Sequence, residues 1–472
     1  MLGTTTWLGI VLIAILLTSL PVYFYSKGYG NNKVSFLLSN RNLLPIITGI
    51  SLGMAWANSP ALFIGSGQAY NVGLVGWFWF VIGNILTLAV FGLAAQKVAK
   101  SMPEGYTMAG YLKTTHGTYI HKCYLFCSLI VSLLVMCIGL VAICTLISIT
   151  SEISKFLASL IIVVIAATLS FRAGFRATVL VELVKFSIAV LGGGTILYLL
   201  STTPAIQSLT AGLAGIKGNG ADLFGTETAW TVFATFGITV FLGQMSAPWV
   251  DNNYMQRGFA YSGDKKKMFW SYILGALVFG MFPLATGLIG FYGVSNAVTI
   301  PSGQGQYAIV HIIDQLVGNS ATVAFCIIAL ISSIAIVDDQ LNNFADLVKN
   351  DIIDAYKIEE KKSLMYTRIA ALGFAALGIT IINVPFVNLL YVLLLGNIIR
   401  TAMGLTTVGL IFKPKAFDGK ITGIVLVLSL ILTGAAFNYI TMYGLKEYTL
   451  PLTVISFLGT PLLALILSKI KS

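Results

Sequence analysis

Two apolar stretches of this chain each contain a proline next to polar residues. The first is MAWANSPALFIGSG, Met54 to Gly67, and the second is GQMSAPWVDNN, Gly243 to Asn253. A proline inside a helix removes one backbone hydrogen bond and clashes with the preceding turn. In a bilayer, irregular backbone at mid-depth is tolerated only where it is buried in protein or lines a wet cavity. The two stretches therefore predict two membrane helices that are broken where a binding site lies.

The composition is that of a membrane-spanning protein. Hydrophobic residues make up 57% of the 472 positions and charged residues only 10%, and the mean hydropathy is +0.90. Apolar runs of about twenty residues predict spanning helices. About thirteen are predicted, at 5–26, 44–67, 73–96, 123–149, 156–171, 177–200, 228–256, 268–293, 320–347, 367–384, 386–412, 421–442 and 448–468. The first run has no basic residue before it, so we interpret it as a retained helix and not as a signal peptide.

The net charge of +11 reports topology and does not indicate a nucleic-acid partner. Lysines and arginines cluster in every second loop, whereas the alternate loops hold only Lys155, Lys217 and Lys446. Cytoplasmic loops of membrane proteins carry such an excess. We therefore expect an N-terminus outside, a C-terminus in the cytoplasm, and a multi-pass protein of the inner or plasma membrane in contact with lipid.

Other classes of site lack a signal in the sequence. The five cysteines lie in or at the start of spans, where small packing residues are the plain interpretation and a disulfide framework is not expected. His116, His121 and His311 form no metal or triad pattern. No loop exceeds about thirty residues, so we expect no soluble catalytic or sensor domain and no enzyme activity.

The spacing of the two breaks predicts an inverted repeat. Pro60 lies in the second span and Pro248 in the seventh, so the two spans cross the membrane in opposite directions. A lone membrane proline is usually a kink, but matched breaks in inverted repeats meet at substrate and ion sites near the midplane. The fold predicted is all-α, with a core of two inverted five-helix repeats.

The run SLGMAWANSPALFIG, Ser51 to Gly65, resembles the first core helix of the solute:sodium symporter family. The resemblance implies the inverted-repeat fold of bacterial neurotransmitter-type symporters, formed here by spans two to eleven. GQAYNVGLVGWFW from Gly67 and SYILGALVFGMFPLATGLIGF from Ser271 look most like the urea-transporter branch. The expected organisation is an extra helix and loop at 1–43, repeats at 44–200 and 228–412, an outer loop at 201–227 and two extra helices at 413–472.

The resemblance also implies one sodium site. Ser332 and Ser333 lie near the middle of the ninth span, and paired hydroxyls there offer neutral oxygens to a cation, although such hydroxyls also pack or bond back to carbonyls. The family pattern adds the carbonyls of Ala329, Ala55 and Asn58 to these two hydroxyls. Positions that hold a second sodium in some members are Ala335 and Ile336, whose side chains cannot ligate, so we expect a single co-transported Na⁺.

Acidic residues inside the membrane are functional candidates. Glu182 and Asp338 lie roughly 8 Å to the cytoplasmic side of the midplane at 1.5 Å per residue, where they could line an exit path for the ion. Glu182 could instead pair with Lys185, and Asp338 and Asp339 could face a hydrated vestibule. A buried carboxyl can also carry protons, which keeps proton coupling as the alternative to sodium.

Polar residues near the breaks are the candidates for solute contacts. An Arg fork at mid-span suits a carboxylate, although Arg400 could also form a structural pair with Asp251 or Asp338. In the family, this helix supplies substrate contacts in some members, and Asp251 aligns with a polar contact of a sugar-binding relative. The full candidate set is Ser59, Gln68, Gln244, Trp249, Asp251, Asn252, Asn397 and Arg400.

The function predicted is a sodium-coupled symporter that imports a small polar solute by alternating access. Urea, an amino acid or a carboxylate would each fit part of the pattern, and a monomer or loose oligomer is expected. The alternatives are a proton-coupled symporter and a membrane sensor that binds solute without net transport. A channel would need a continuous selectivity lining, which the sequence does not show.

Overall fold

The computed structural model describes residues 2–204 and 208–471, and its long elements are all helices. We number these helices α1 to α15. Their bounds are α1 Thr4–Tyr25, α2 Pro45–Trp56, α3 Ser59–Val72, α4 Leu74–Ser101, α5 Thr118–Thr150, α6 Lys155–Ala173, α7 Phe175–Thr202, α8 Glu227–Trp249, α9 Asn252–Ala260, α10 Lys265–Ser295, α11 Asn319–Tyr356, α12 Glu360–Ile382, α13 Leu389–Phe412, α14 Gly419–Met442 and α15 Lys446–Lys471.

These helices confirm the predicted number of spans. Within the described residues, 12 helices are long and apolar enough to cross a membrane, and the bent pair α2–α3 makes 13 when it counts as one span. Apolar side chains remain exposed along α1, where Leu8, Leu12 and Leu16 are each about half exposed. Such a surface fits contact with lipid, since an apolar chain in lipid has no need to cover it.

The first predicted break lies between α2 and α3, whose axes are bent by 57°. The side chain of Asn58 caps α3 by accepting a hydrogen bond from the backbone N–H of Ala61 at 3.3 Å. Pro60 occupies the first turn of α3, where its missing N–H removes no helical hydrogen bond. The proline therefore starts the second half of a broken helix and does not kink a continuous one.

The second break lies two residues beyond the proline that predicts it. Pro248 sits inside the last turn of α8, a 3-10 turn over Ala247–Trp249, and the helix stops at Val250. Asp251 then caps α9 by accepting from the N–H of Asn253 at 3.1 Å. Helix α8 also contains a π-helical turn at Phe233–Gly237.

Packing brings the two breaks towards each other. Helices α2, α3 and α4 pack against α10, whereas α8 packs against α4 and α13. Helix α11 lies in the middle and contacts α5, α6 and α7. Small residues allow the closest approaches: a Cβ on Gly243 would lie 2.4 Å from Cβ of Asn397. The predicted loop 201–227 lies between α7 and α8, and Ile216 in it donates its backbone N–H to the carbonyl of Tyr70 at 2.9 Å.

Candidate solute and cation site

A small polar cavity of about 40 Å³ lies beside the first break. Its polar lining residues are Asn58, Asn84, Gln244 and Arg400, which lie amid apolar and aromatic walls. The other lining residues are Trp56, Pro60, Ala61, Phe80, Val135, Ile138, Tyr254, Ile336 and Leu393. Few polar groups converging in an apolar pocket are typical of small-molecule sites. A larger cavity of about 170 Å³ between α7 and α10 is lined almost wholly by apolar side chains, so it offers little to orient a polar solute.

Arg400 is the charged group of this cavity. Its side chain is 6% exposed, and Nη1 donates to Oδ1 of Asn397 at 3.4 Å. Nε has no hydrogen-bond partner, and in the described parts of the chain no carboxylate oxygen lies within 4.0 Å of the guanidinium. Among the described residues, Arg400 therefore forms no ion pair with Asp251 or Asp338, and its guanidinium keeps N–H donors for a ligand.

Other predicted solute contacts do not line the cavity. Trp249 packs edge-on against Phe91 with ring centroids 5.3 Å apart. Asp251 accepts hydrogen bonds from Asn343 at 3.0 Å and Gln340 at 3.3 Å. Asn252 bonds to Asp346 at 2.9 Å. Gln68 is buried on α3, one residue after Gly67. Trp249, Asp251 and Asn252 thus join neighbouring helices in this conformation.

The predicted sodium residues gather around the first break. Ser333 Oγ donates to Ser59 Oγ at 2.7 Å, which joins α11 to the start of α3. Ser332 Oγ donates back to the carbonyl of Ile328 at 2.8 Å. Ala329 lies one turn before Ser333, and Ala55 is the penultimate residue of α2. Ser333 thus lies at the junction of α11 with the first break, whereas the role of the whole set in binding sodium stays a prediction.

Glu182 has a different partner from the one considered in the sequence. Its Oε1 lies 2.5 Å from Nη2 of Arg257, which also lies 2.9 Å from Oδ1 of Asp339. Ser51 accepts from Nε of Arg257 at 2.9 Å and donates to the other oxygen of Glu182. This inner network joins α2, α7, α9 and α11 and consists of Ser51, Glu182, Arg257 and Asp339. The sequence did not indicate this network, because Arg257 lies 75 residues from Glu182 along the chain and the two meet only when the helices pack.

Asp338 lies next to the inner network without belonging to it. It is fully buried on α11, and its Oδ1 accepts from Asn342 at 3.3 Å, whereas its Oδ2 has no hydrogen-bond partner. Asn342 also donates to Thr178 of α7 at 2.6 Å. The predicted ion-path residues Glu182 and Asp338 therefore lie at the same α7–α11 interface.

Lys185 is the residue that the sequence offered as an ion-pair partner of Glu182. It is 2% exposed, and Nζ donates to the carbonyl of Met54 in the last turn of α2. In residues 2–204 and 208–471, no carboxylate oxygen lies within 4.0 Å of this nitrogen. The pairing with Glu182 was therefore wrong, and the lysine reaches the backbone of the broken helix instead.

Curated relatives match much of the chain at low identity. A rice (Oryza sativa subsp. japonica) protein named urea-proton symporter DUR3 is 22% identical over 407 residues, which cover 79% of this chain and 56% of the relative. A Schizosaccharomyces pombe protein named probable urea active transporter 2 is 22% identical over 384 residues, 74% of this chain and 55% of the relative. The chain spans about half the length of these relatives.

Solved transporter structures share the fold. A Na⁺-coupled sialic acid symporter in an outward-open state has a TM-score of 0.74 at 14% identity, with 99% of this chain and 97% of that chain covered. Mhp1, a nucleobase-cation-symport-1 family transporter in a closed conformation, has a TM-score of 0.56 at 12% identity, covering 92% and 94%. At these identities the likeness establishes the fold.

The family follows from a match to a family model. The model of the sodium:solute symporter family matches residues 36–423, from the loop after α1 into α14. This range contains both breaks, the cavity, the inner network and Lys185. Because the match covers most of the chain, the protein belongs to the sodium:solute symporter family.

Proposed function

We propose that the protein is a cation-coupled symporter that imports urea or a similarly small amide by alternating access. The observation that carries this proposal is the cavity at the first break, with its three carboxamides and one guanidinium. The two curated relatives are urea transporters by name, which supports the same class of solute. The basic loops support the predicted orientation, with the N-terminus outside.

The size of the cavity favours a very small solute. A cavity of about 40 Å³ has room for about three waters at roughly 10–15 Å³ each. Urea has four non-hydrogen atoms, so it fits after a slight expansion, whereas a sugar would require the site to be rebuilt. The aromatic side chains of Trp56, Phe80 and Tyr254 close the walls around this volume.

The polar groups suit an amide. Urea presents one carbonyl acceptor and four N–H donors. Arg400 offers donors to the carbonyl oxygen, and the carboxamide oxygens of Asn58, Asn84 and Gln244 can accept from the N–H groups. A buried polar ligand binds well only where such groups are paired, since an unpaired partner costs about 1–3 kcal/mol.

A small carboxylate is the second candidate, because the guanidinium of Arg400 lacks a carboxylate partner within 4.0 Å in the described residues. Competition distinguishes the two solutes. Labelled urea uptake should be inhibited by formamide and acetamide and not by formate or acetate. Stronger inhibition by the carboxylates would favour the second candidate.

The test of transport is solute counterflow in proteoliposomes. Vesicles loaded with unlabelled urea should accumulate labelled urea transiently, which a sensor without transport cannot produce. Gln244→Leu should reduce the rate about tenfold, because a lost hydrogen bond of about 1.4 kcal/mol corresponds to that factor. Gln68→Leu is the matched control outside the cavity and should change the rate less than twofold. The absence of counterflow for urea, amides and carboxylates would refute the proposal.

Two cations have support as the coupling ion. The family, the sialic acid symporter and the hydroxyls of Ser332 and Ser333 favour Na⁺. The rice relative, which is named a urea-proton symporter, favours a proton. Both ions would act at the junction of α2, α3 and α11, where binding of a cation can bias the equilibrium between outward-facing and inward-facing states.

A further inference from the structure

A positively charged side chain of the protein itself binds the last turn of α2. Lys185 extends from α7, and its ammonium donates to the carbonyl of Met54. The next residue, Ala55, is the one whose carbonyl the family pattern assigns to sodium. The C-terminal turn of a helix has unsatisfied carbonyls and a partial negative charge, so a cation is stabilised there.

The surrounding charges leave this ammonium without a carboxylate of its own. The nearest acidic groups are Glu182 on the same helix and Asp339 on α11, and both are bound by Arg257. Asp338, the preceding residue of α11, is bridged to α7 through Asn342. Helices α1 and α2 contain no acidic or basic residue, and those of α6 and α10 lie at the helix ends. The remaining charged neighbours lie towards the ends of α7 and are Lys33, which pairs with Asp354, and His311 and Asp314.

A second cation beside Lys185 would be repelled. Like charges a few ångströms apart repel each other strongly where little water screens them. The hydroxyl of Ser333 also joins α11 to α3 directly through Ser59. The ammonium of Lys185 therefore stabilises the last turn of α2 as a bound sodium ion would. Its charge also disfavours binding of a sodium ion at the same place.

We propose that Lys185 is the coupling-ion site of this transporter and that the coupled ion is a proton, not Na⁺. This inference rests on the proposed transport function. In the outward-facing state the lysine amine takes a proton from outer water. In the inward-facing state an N–H bond breaks, the electron pair stays on nitrogen, and the proton passes to water on the inner side.

An exit for this proton lies along one face of α7. Thr178, Glu182 and Lys185 are spaced by four and three residues, so their side chains lie on the same face. Asn342 links Thr178 to Asp338, whose Oδ2 has no hydrogen-bond partner. Polar and acidic groups thus extend from Lys185 to the predicted inner end of α7.

Helix α2 couples the proton to the solute. Met54 accepts from Lys185, and Trp56, two residues later, lines the cavity together with Asn58. Charged Lys185 holds the end of α2 in the position that shapes the cavity. Loss of the charge removes this hold, so α2 can move and the inner side can open.

The first arm of the test uses gradients in proteoliposomes. An inward proton gradient should drive urea accumulation in the wild type, and replacing Na⁺ by choline should change the rate less than twofold. Lys185→Gln should lose gradient-driven accumulation, and an internal pH dye should detect no co-transported protons, whereas counterflow, which needs no proton gradient, should persist at a reduced rate because α2 is no longer held. Lys185→Arg, which keeps the charge but does not release the proton, should slow both processes more than tenfold.

Lys155→Gln is the matched control. Nζ of Lys155, the first residue of α6, also donates to a backbone carbonyl, that of Val387 at 3.2 Å. This variant should retain proton-driven accumulation. Accumulation that survives in Lys185→Gln would overturn the assignment.

The second arm needs no solute, so it separates this inference from the proposed function. Wild-type protein in detergent is titrated with Na⁺ against choline at fixed ionic strength, and no sodium-specific rise in Tm is expected. A sodium-specific rise that Ser333→Ala abolishes would overturn the proton assignment whatever the solute is. Failure of urea counterflow would overturn the proposed function instead.

Discussion

At the scale of single residues, Arg400 shows how a binding group differs from a stabilising one. Its guanidinium is buried, and among the described residues its side-chain hydrogen-bond partner is Asn397, at 3.4 Å. A buried charge that no carboxylate contacts directly raises the free energy of the folded state. Arg400 nevertheless lies beside the cavity. Such a position is expected of a binding group whose missing hydrogen-bond partner is supplied by the solute.

Replacing Arg400 should therefore affect transport and stability in opposite directions. Arg400→Met removes the buried charge and keeps most of the apolar stem, so we expect an unchanged or slightly higher Tm in detergent. Uptake should fall at least tenfold, with Arg400→Lys intermediate, because lysine lacks the planar fork. Melting curves and initial uptake rates check this. A Tm lowered by about 5 °C or more, with normal uptake per folded molecule, would show a structural role instead.

Sequence patterns at this scale identify candidates but not their partners. The hydroxyls of Ser332 and Ser333 were placed at the first break by the family pattern, and the structure puts Ser333 against Ser59. The partner of Glu182 could not be found this way, because Arg257 is distant in the sequence and contacts it only after α7 and α9 pack. Spacing within one helix suggested Lys185, which turns instead to the backbone of α2.

At the scale of helices, close packing depends on glycines at crossings. A Cβ on Gly53 of α2 would lie 2.7 Å from the carbonyl oxygen of Gly275 on α10. A Cβ on Gly193 of α7 would meet nothing within 4 Å. The same substitution at the two positions should therefore have opposite effects.

We expect Gly53→Ala to lower the unfolding free energy by about 1–3 kcal/mol through overpacking. Gly193→Ala should raise it by about 0.5–1 kcal/mol, because alanine loses less backbone entropy in a helix. Thermal melts of the two variants beside the wild type check the pair. A Gly53→Ala variant that is as stable as Gly193→Ala would mean that the α2–α10 crossing adjusts and that the contact is not limiting.

The positions of the helices were predictable because a span needs about twenty apolar residues whatever it packs against. The positions of the breaks were predictable only approximately. Asn58 caps α3 next to Pro60, as the first motif indicates. Pro248 instead fits the second position of a 3-10 turn, so the second break falls at Val250 and Asp251, where the capping carboxylate lies.

At the scale of the whole molecule, alternating access requires one side to be closed by contacts that can also open. The inner network is such a contact: Arg257 is fully buried and binds Glu182 and Asp339, while Ser51 joins it from α2. It connects both predicted repeats, with α2 and α7 in the first and α9 and α11 in the second. The division into repeats stays a prediction, but a contact between them is what rocking motions must break.

Arg257→Gln should therefore favour opening on the inner side. Removing one partner of a buried ion pair leaves uncompensated carboxylates and costs about 3–5 kcal/mol, so the closed arrangement of α2, α7, α9 and α11 loses most of its advantage. Hydrogen exchange followed by mass spectrometry should show at least tenfold faster exchange in α9 and in the first half of α2, with little change in α14. Arg172→Gln is the matched control, since that guanidinium lies over the ring of Tyr23 at 4.6 Å near the surface. If exchange rises equally in α14, the variant has lost global stability; if α9 and α2 stay protected, the inner network does not hold the gate, and closure must rest on the apolar contacts of α11.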